Sequence, residues 1–134
     1  MLLGYLIIYV EDVEATLAHY ARAFELETTM LHESKQYGEL ATGSAVLAFA
    51  AVEEAEGNGI ELELSRLGRP AQGYELVLVT PDVARAYARA VDNGATAVRA
   101  PEEKPWNQTV AYVRDINGVL VELASPILPQ HKAP

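Results

Sequence analysis

The ten residues "RDINGVLVEL", 114 to 123, decide how the last part of this chain folds. Asp115, Asn117 and Gly118 favour a tight turn, because Asn and Gly adopt positive φ at low cost. The apolar run after this turn predicts a strand, and Glu122 is the one carboxylate within it. A buried ionised carboxylate costs several kcal/mol unless its charge is compensated. A metal, a basic side chain or a cationic ligand could each be the partner of Glu122.

The composition limits the classes of protein to which the chain can belong. With 134 residues, half of them hydrophobic, it fits one domain with a substantial core. It has no cysteine, which excludes disulfides, zinc–thiolate sites and thiol nucleophiles and fits a cytoplasmic location. The net charge of −9 argues against nucleic acid and anionic membranes as partners. No apolar run reaches the roughly 20 residues of a membrane helix.

The chain contains the same order of predicted elements twice. "YLIIYV" predicts a strand, followed by a helix for which Asp12 is the N-cap. "YELVLV" predicts a second such strand, followed by a helix for which Thr80 is the N-cap and Pro81 the first residue. Each helix carries the tetrapeptide "YARA", and three predicted strands follow it. The pattern predicts two βαβββ modules and an α+β fold.

The repeat also sets the boundaries within a single domain, 1–134. These are module one at about 1–51, a linker at about 52–73, module two at about 74–126 and a loose tail at 127–134. In the linker, "IELELSRL" at 60–67 alternates apolar and polar residues and predicts an edge strand. The run "EEAE" at 53–56 predicts a solvated loop.

The two modules, the segment "KPWNQ" at 104–108 and the closing "RDINGVLVEL" together resemble the vicinal oxygen chelate superfamily. This superfamily includes glyoxalase, the extradiol dioxygenases and the bleomycin-resistance proteins, and the resemblance extends over nearly the whole chain. It implies that mixed sheets form a concave cup. The family usually closes on Asp-Pro-Asp-Gly before a strand that carries Glu, and here Ile116 stands in place of the proline.

In the metal-dependent members, each module supplies one ligand from its first strand and one from its last. The resemblance places these positions on Tyr5, Ala48, Glu75 and Glu122. Only Glu122 keeps the family's ligand type, and the set lacks the His nitrogen that Zn, Ni or Fe sites use. The histidines are predicted to be surface or helix-packing residues: His19, His32 and His131. We therefore predict no metal ligands and no cofactor, with Glu122 and Glu75 as the candidate catalytic residues.

Strand alternation predicts which other side chains face the cup, because residues two apart share a face. The candidate ligand-binding residues are Tyr5, Ile7, Tyr9, Ala48, Val77, Trp106, Gln108 and Tyr112. Aromatic walls with two carboxylates suit a planar or cationic small molecule. In the alternative interpretation, the tyrosines are core or interface residues. The two glutamates would then form structural ion pairs with arginines, the candidates being Arg66, Arg69, Arg99 and Arg114.

Two functions follow from the resemblance. The bleomycin-resistance proteins are metal-free and acidic, sequester a basic drug in cups across a homodimer, and carry Trp-Gly at about the place of Trp106-Asn107. This resemblance implies a homodimeric protein that sequesters a small organic ligand without a metal. The alternative is a lyase, isomerase or dioxygenase-like enzyme in which Glu122 or Glu75 is a general base or holds a weakly bound metal.

Overall fold

The computed structural model describes residues 1–127, which form eight strands and three helices. In chain order these are β1 (Tyr5–Val10), α1 (Val13–Phe24), β2 (Thr28–Leu31), β3 (Tyr37–Leu40), β4 (Val46–Ala51), α2 (Val52–Gly57), β5 (Leu76–Val79), α3 (Val83–Asp92), β6 (Thr96–Glu103), β7 (Thr109–Arg114) and β8 (Leu120–Ala124). The predicted α+β fold with two βαβββ modules is confirmed. The part of the predicted tail that follows Ile127 lies outside the described residues.

The chain divides into two compact units, Met1–Ser65 and the part from Arg66 onward. In the first unit the strand order is β1-β4-β3-β2, with β1 parallel to β4 and the other pairs antiparallel. Helix α1 begins at Asp12, whose carboxylate accepts the Ala15 N–H at 2.9 Å as predicted. The helix packs on one face of the sheet, where the rings of Tyr20 and Phe49 lie 4.9 Å apart.

The second unit has the strand order β5-β8-β7-β6, with β5 parallel to β8. Its helix α3 is capped by Asp82, which accepts the Arg85 N–H at 3.1 Å. The prediction of Thr80 as N-cap is wrong, because the helix begins later than assumed and the Asp82 carboxylate reaches its free N–H groups. The Thr80 hydroxyl instead accepts the Asp82 N–H at 3.3 Å.

The predicted linker has a different structure from the one expected. Residues 60–67 form no strand, because the alternating pattern finds no neighbouring strand to pair with in the described part of the chain. The run at 53–56 lies in helix α2 rather than in a loop. Glu and Ala are good helix formers, and Ala55 is buried while the glutamates are exposed.

In residues 1–127, no helix is long and apolar enough to cross a membrane.

The turn of the closing motif joins β7 to β8 and contacts the segment at Arg66. Asp115 is fully buried, and its Oδ1 accepts the N–H groups of Asn117 at 2.8 Å and Val119 at 2.9 Å. Gly118 has φ +90°, and a Cβ at this position would lie 2.6 Å from the carbonyl carbon of Arg66. The close approach of two backbone segments therefore requires glycine here.

Candidate functional site

Glu122 and Tyr112 form the centre of the candidate site. They stand directly opposite each other on β8 and β7, so their side chains share one face of the sheet. The Tyr112 hydroxyl donates a hydrogen bond to Glu122 Oε1 at 2.8 Å. Both side chains are half-buried, which keeps this bond partly shielded from water. The glutamate in the closing strand thus has a neutral donor as its first partner.

Glu75, which immediately precedes β5, is the second carboxyl group of the site. Its side chain is within hydrogen-bonding distance of Glu122, and burial together with this bond and the charge of Glu122 raises the pKa of Glu75. The hydrogen bond to Glu122 is also the main reason that the pKa of Tyr112 rises to about 12, with burial and both glutamate charges adding to it. Glu75 therefore keeps its proton to a higher pH than a free glutamate does.

The two carboxyl groups are not neutralised by arginine. Every influence on Glu75 raises its pKa, whereas a neighbouring guanidinium would lower it. Arg114, one of the predicted alternatives, instead donates to the carbonyl oxygens of Gly118 and Arg66, each at 2.9 Å. Within residues 1–127, neither carboxyl group takes part in an ion pair. A cation that reached the pair would find uncompensated negative charge.

A transverse row of paired side chains crosses the second sheet through Glu122 and Tyr112. Val77 stands opposite Glu122, Glu122 opposite Tyr112, and Tyr112 opposite Arg99 on β6. Beside Tyr112 lies a cavity of about 270 Å³. Its lining consists of Arg99, Ala100, Glu102, Lys104, Val110 and Tyr112. The site thus combines a carboxyl pair at one end with a cavity that contains basic side chains at the other.

Trp106 and Gln108 lie in the turn between β6 and β7. The Trp106 indole N–H donates to Gln108 Oε1 at 2.7 Å, and the Gln108 amide donates to the carbonyl of Ser125 at 2.9 Å. Asn107 adopts φ +66°, a left-handed conformation that Asn tolerates well, so glycine is not needed at this turn. The half-exposed Trp106 ring is held in its orientation by the hydrogen bond from its indole N–H to Gln108.

The other four predicted ligand-binding residues lie in the first unit. Ile7 stands opposite Ala48 in the register of β1 and β4, with Tyr5 and Tyr9 two residues to either side. Tyr5 and Ile7 are exposed, whereas Ala48 is completely buried. The carboxyl pair and its tyrosine partner belong to the second unit.

A second tyrosine–glutamate pair was not predicted from the sequence. The Tyr37 hydroxyl donates to Glu39 Oε2 at 2.8 Å, and burial followed by the effect of Glu39 raises the pKa of Tyr37 to about 12. The signal was available, because these residues are two apart on a strand and therefore share a face. Gly38 between them faces α1, where a Cβ would lie 2.6 Å from Leu17 Cδ1.

The side chains present do not fit the Zn, Ni or Fe site that the resemblance implies for metal-dependent members. No group of three His, Cys, Asp or Glu residues in the described range 1–127 could hold an ion. His19 is buried in α1, in edge contact with the rings of Tyr20 and Phe24. His32 Nδ1 is hydrogen-bonded to the Ser34 hydroxyl at 2.8 Å. Zn, Ni and Fe sites typically include nitrogen or sulfur ligands, whereas the carboxyl pair supplies only oxygen.

Comparisons with known proteins identify the family. The model of the family described as Glyoxalase/Bleomycin resistance protein/Dioxygenase superfamily matches residues 2–123. A comparison with curated proteins finds no match.

Several solved structures share the fold. A glyoxalase-related enzyme from Fulvimarina pelagi is 21% identical, with 94% of this chain and 88% of that chain covered and a TM-score of 0.79. A glyoxalase/bleomycin resistance protein/dioxygenase family enzyme from Burkholderia phytofirmans PsJN is 22% identical, with 94% and 98% covered and a TM-score of 0.74. TioX from Micromonospora sp. ML1 is 18% identical, with 96% and 100% covered and a TM-score of 0.71. At these identities the similarity shows the fold alone.

Proposed function

The chain belongs to the glyoxalase/bleomycin resistance protein/dioxygenase superfamily, and we propose that within it this protein sequesters a small organic ligand with a planar, cationic part, without a metal. The observation that carries the proposal is the carboxyl pair of Glu75 and Glu122, which shares a hydrogen bond and has no basic partner in residues 1–127. A cation placed on this pair relieves the repulsion between the carboxylates. The adjacent Tyr112 ring offers a face for a planar group.

An enzymatic function is the second candidate, and the raised pKa of Glu75 favours it. A carboxyl group that keeps its proton to higher pH is available as a general acid over a wider pH range, and its conjugate base is a stronger proton acceptor. In this candidate, Glu75 and Glu122 exchange a proton with a substrate bound against Tyr112, as in a lyase or isomerase reaction. The first candidate is preferred because it needs only the charge distribution of the pair.

The direct test is a calorimetric titration with benzylamine, a planar ring with a single ammonium group, after dialysis against a chelator. The cation lowers the pKa of Glu75, so binding should release a fraction of a proton at a pH somewhat above 4.5, the ordinary value for this group. At about pH 8 less of the Glu75 carboxyl is protonated before binding, so the release should be smaller. Two buffers with different ionisation enthalpies measure the number of protons.

Glu75→Gln should remove this proton release and leave detectable binding. Binding of benzylamine that is undetectable at both pH values would refute the sequestration proposal. A requirement for added metal would refute its metal-free part.

We also propose that the protein is a homodimer. The first strand of each sheet is an edge strand with exposed apolar side chains, for example Leu6 and Ile7 on β1 and Val77 and Val79 on β5. Exposed apolar edges of this kind are typical of surfaces that associate. Light scattering at micromolar concentration should give twice the chain mass of 14.6 kDa, and Val79→Glu should lower the mass if β5 lies in the interface. A wild-type monomer at tens of micromolar would rule the homodimer out.

A further inference from the structure

We propose that the cavity beside Tyr112 binds a carboxylate of the same ligand, so that the ligand is a zwitterion with its two charges on opposite sides of a ring. This inference rests on the proposed function for its cationic end. The cavity itself supplies the observation for the anionic end, because it is lined by Arg99 and Lys104.

Arg99 is the cation available to a ligand. Its guanidinium makes no hydrogen bond or ion pair within residues 1–127, whereas Lys104 Nζ lies 3.5 Å from Glu102 Oε1. The charges of Lys104 and Glu102 compensate each other, which leaves a net charge of about +1 on the cavity lining at neutral pH. A carboxylate matches this charge better than a phosphate dianion, and a guanidinium can hold it with two parallel hydrogen bonds.

The spacing of the strands sets the distance between the two charges of the ligand. Arg99 and Glu122 lie on either side of Tyr112 in the transverse row, two strand spacings apart. Neighbouring strands are about 4.8 Å apart, so the two backbones are separated by about 10 Å. The side chains of Arg99 and Glu122 both extend from the face that carries Tyr112. A phenyl ring over Tyr112 with a charge at each end fits this distance.

The remaining lining of the cavity suits the stem of such a ligand. Val110, which is buried, and the small side chain of Ala100 supply apolar lining. The volume of about 270 Å³ accommodates a substituted ring rather than a large drug. Tyr112 lines the cavity and bonds to Glu122, so one residue adjoins both ends of the site.

Three matched probes test the inference by calorimetry at neutral pH: benzylamine, 4-(aminomethyl)benzoate and benzoate. The zwitterion should bind about tenfold more tightly than benzylamine, because it adds a charge-assisted hydrogen bond to Arg99. Arg99→Gln should abolish this preference, so that the zwitterion and benzylamine bind with similar affinity. Arg85→Gln, which removes an exposed arginine on α3, is the matched control and should leave the preference intact.

Each outcome separates the inference from the proposed function. Equal affinity of the two amines for the wild-type protein, or a preference that survives Arg99→Gln, overturns the inference while the binding of cations stands. If benzoate binds through Arg99 but benzylamine does not bind, the carboxylate site stands and the cation-binding function fails. If no probe binds, both fail.

Discussion

Replacing Gly118 with alanine is expected to destabilise the protein by at least about 3 kcal/mol, because two costs add at this position. The residue has φ +90°, which alone costs an L-residue about 1 kcal/mol or more. The new Cβ would also lie 2.6 Å from Arg66 C and 2.8 Å from Leu67 N, and backbone atoms cannot move aside as the end of a side chain can. Urea unfolding measures the loss.

Two other glycines separate these costs. Gly43 has φ +94° with open space around its Cβ position, so Gly43→Ala should show the conformational cost alone. Gly68 has open space and no positive φ, so Gly68→Ala should be close to neutral. The expected order of destabilisation is Gly118, then Gly43, then Gly68. A loss at Gly118 no greater than at Gly43 would show that the backbone segments do not approach closely.

Replacing Glu122 with glutamine is expected to lower the affinity for benzylamine by about 10- to 100-fold, the scale of a hydrogen bond to a charged group. Gln keeps the shape of the side chain and an oxygen that accepts the Tyr112 hydroxyl, so the change removes mainly the charge. Benzyl alcohol, the neutral analogue, should bind equally to both proteins. Glu75→Gln should have the same direction of effect, and calorimetry measures all of these affinities.

Glu39→Gln is the matched control for this substitution. It removes a half-buried carboxylate that accepts a tyrosine hydroxyl at 2.8 Å, the same hydrogen bond as at Glu122 but between two residues of one strand in the first unit. Its effect on benzylamine affinity should be small. Equal losses from Glu39→Gln and Glu122→Gln would mean that net charge, rather than the carboxyl pair, attracts the ligand.

Glu122→Gln also distinguishes binding from catalysis. In an enzyme that uses Glu122 as a base, Glu122→Gln should abolish turnover with little effect on ground-state binding of the substrate. In a binding protein, the loss should fall on the affinity itself. Unchanged affinity combined with lost turnover would therefore favour the enzymatic candidate over the binding function.

Local patterns in the chain determined the architecture. The apolar run at Tyr5–Val10, the Asp12 cap and the turn before Glu122 each depend on residues close together in sequence. Their repetition was sufficient to predict two βαβββ modules. The cap was misplaced because Thr80 and Asp82 give similar local signals and the helix uses the second. The strand at 60–67 is absent because it has no strand to pair with in the described part of the chain.

The composition of the candidate site depended on the tertiary structure. Strand alternation puts Glu122 and Tyr112 on one face, whereas their direct pairing follows from the register between β7 and β8, which the turn that joins the two strands fixes. Arg99 is the clearest case. The pairing of β6 with β7 shifts between Ala97 and Arg99, so that Arg99 stands opposite Tyr112. Without this irregularity, regular pairing would place Arg99 opposite Ala111, on the other face of the sheet, because one residue of slip exchanges the faces of a strand.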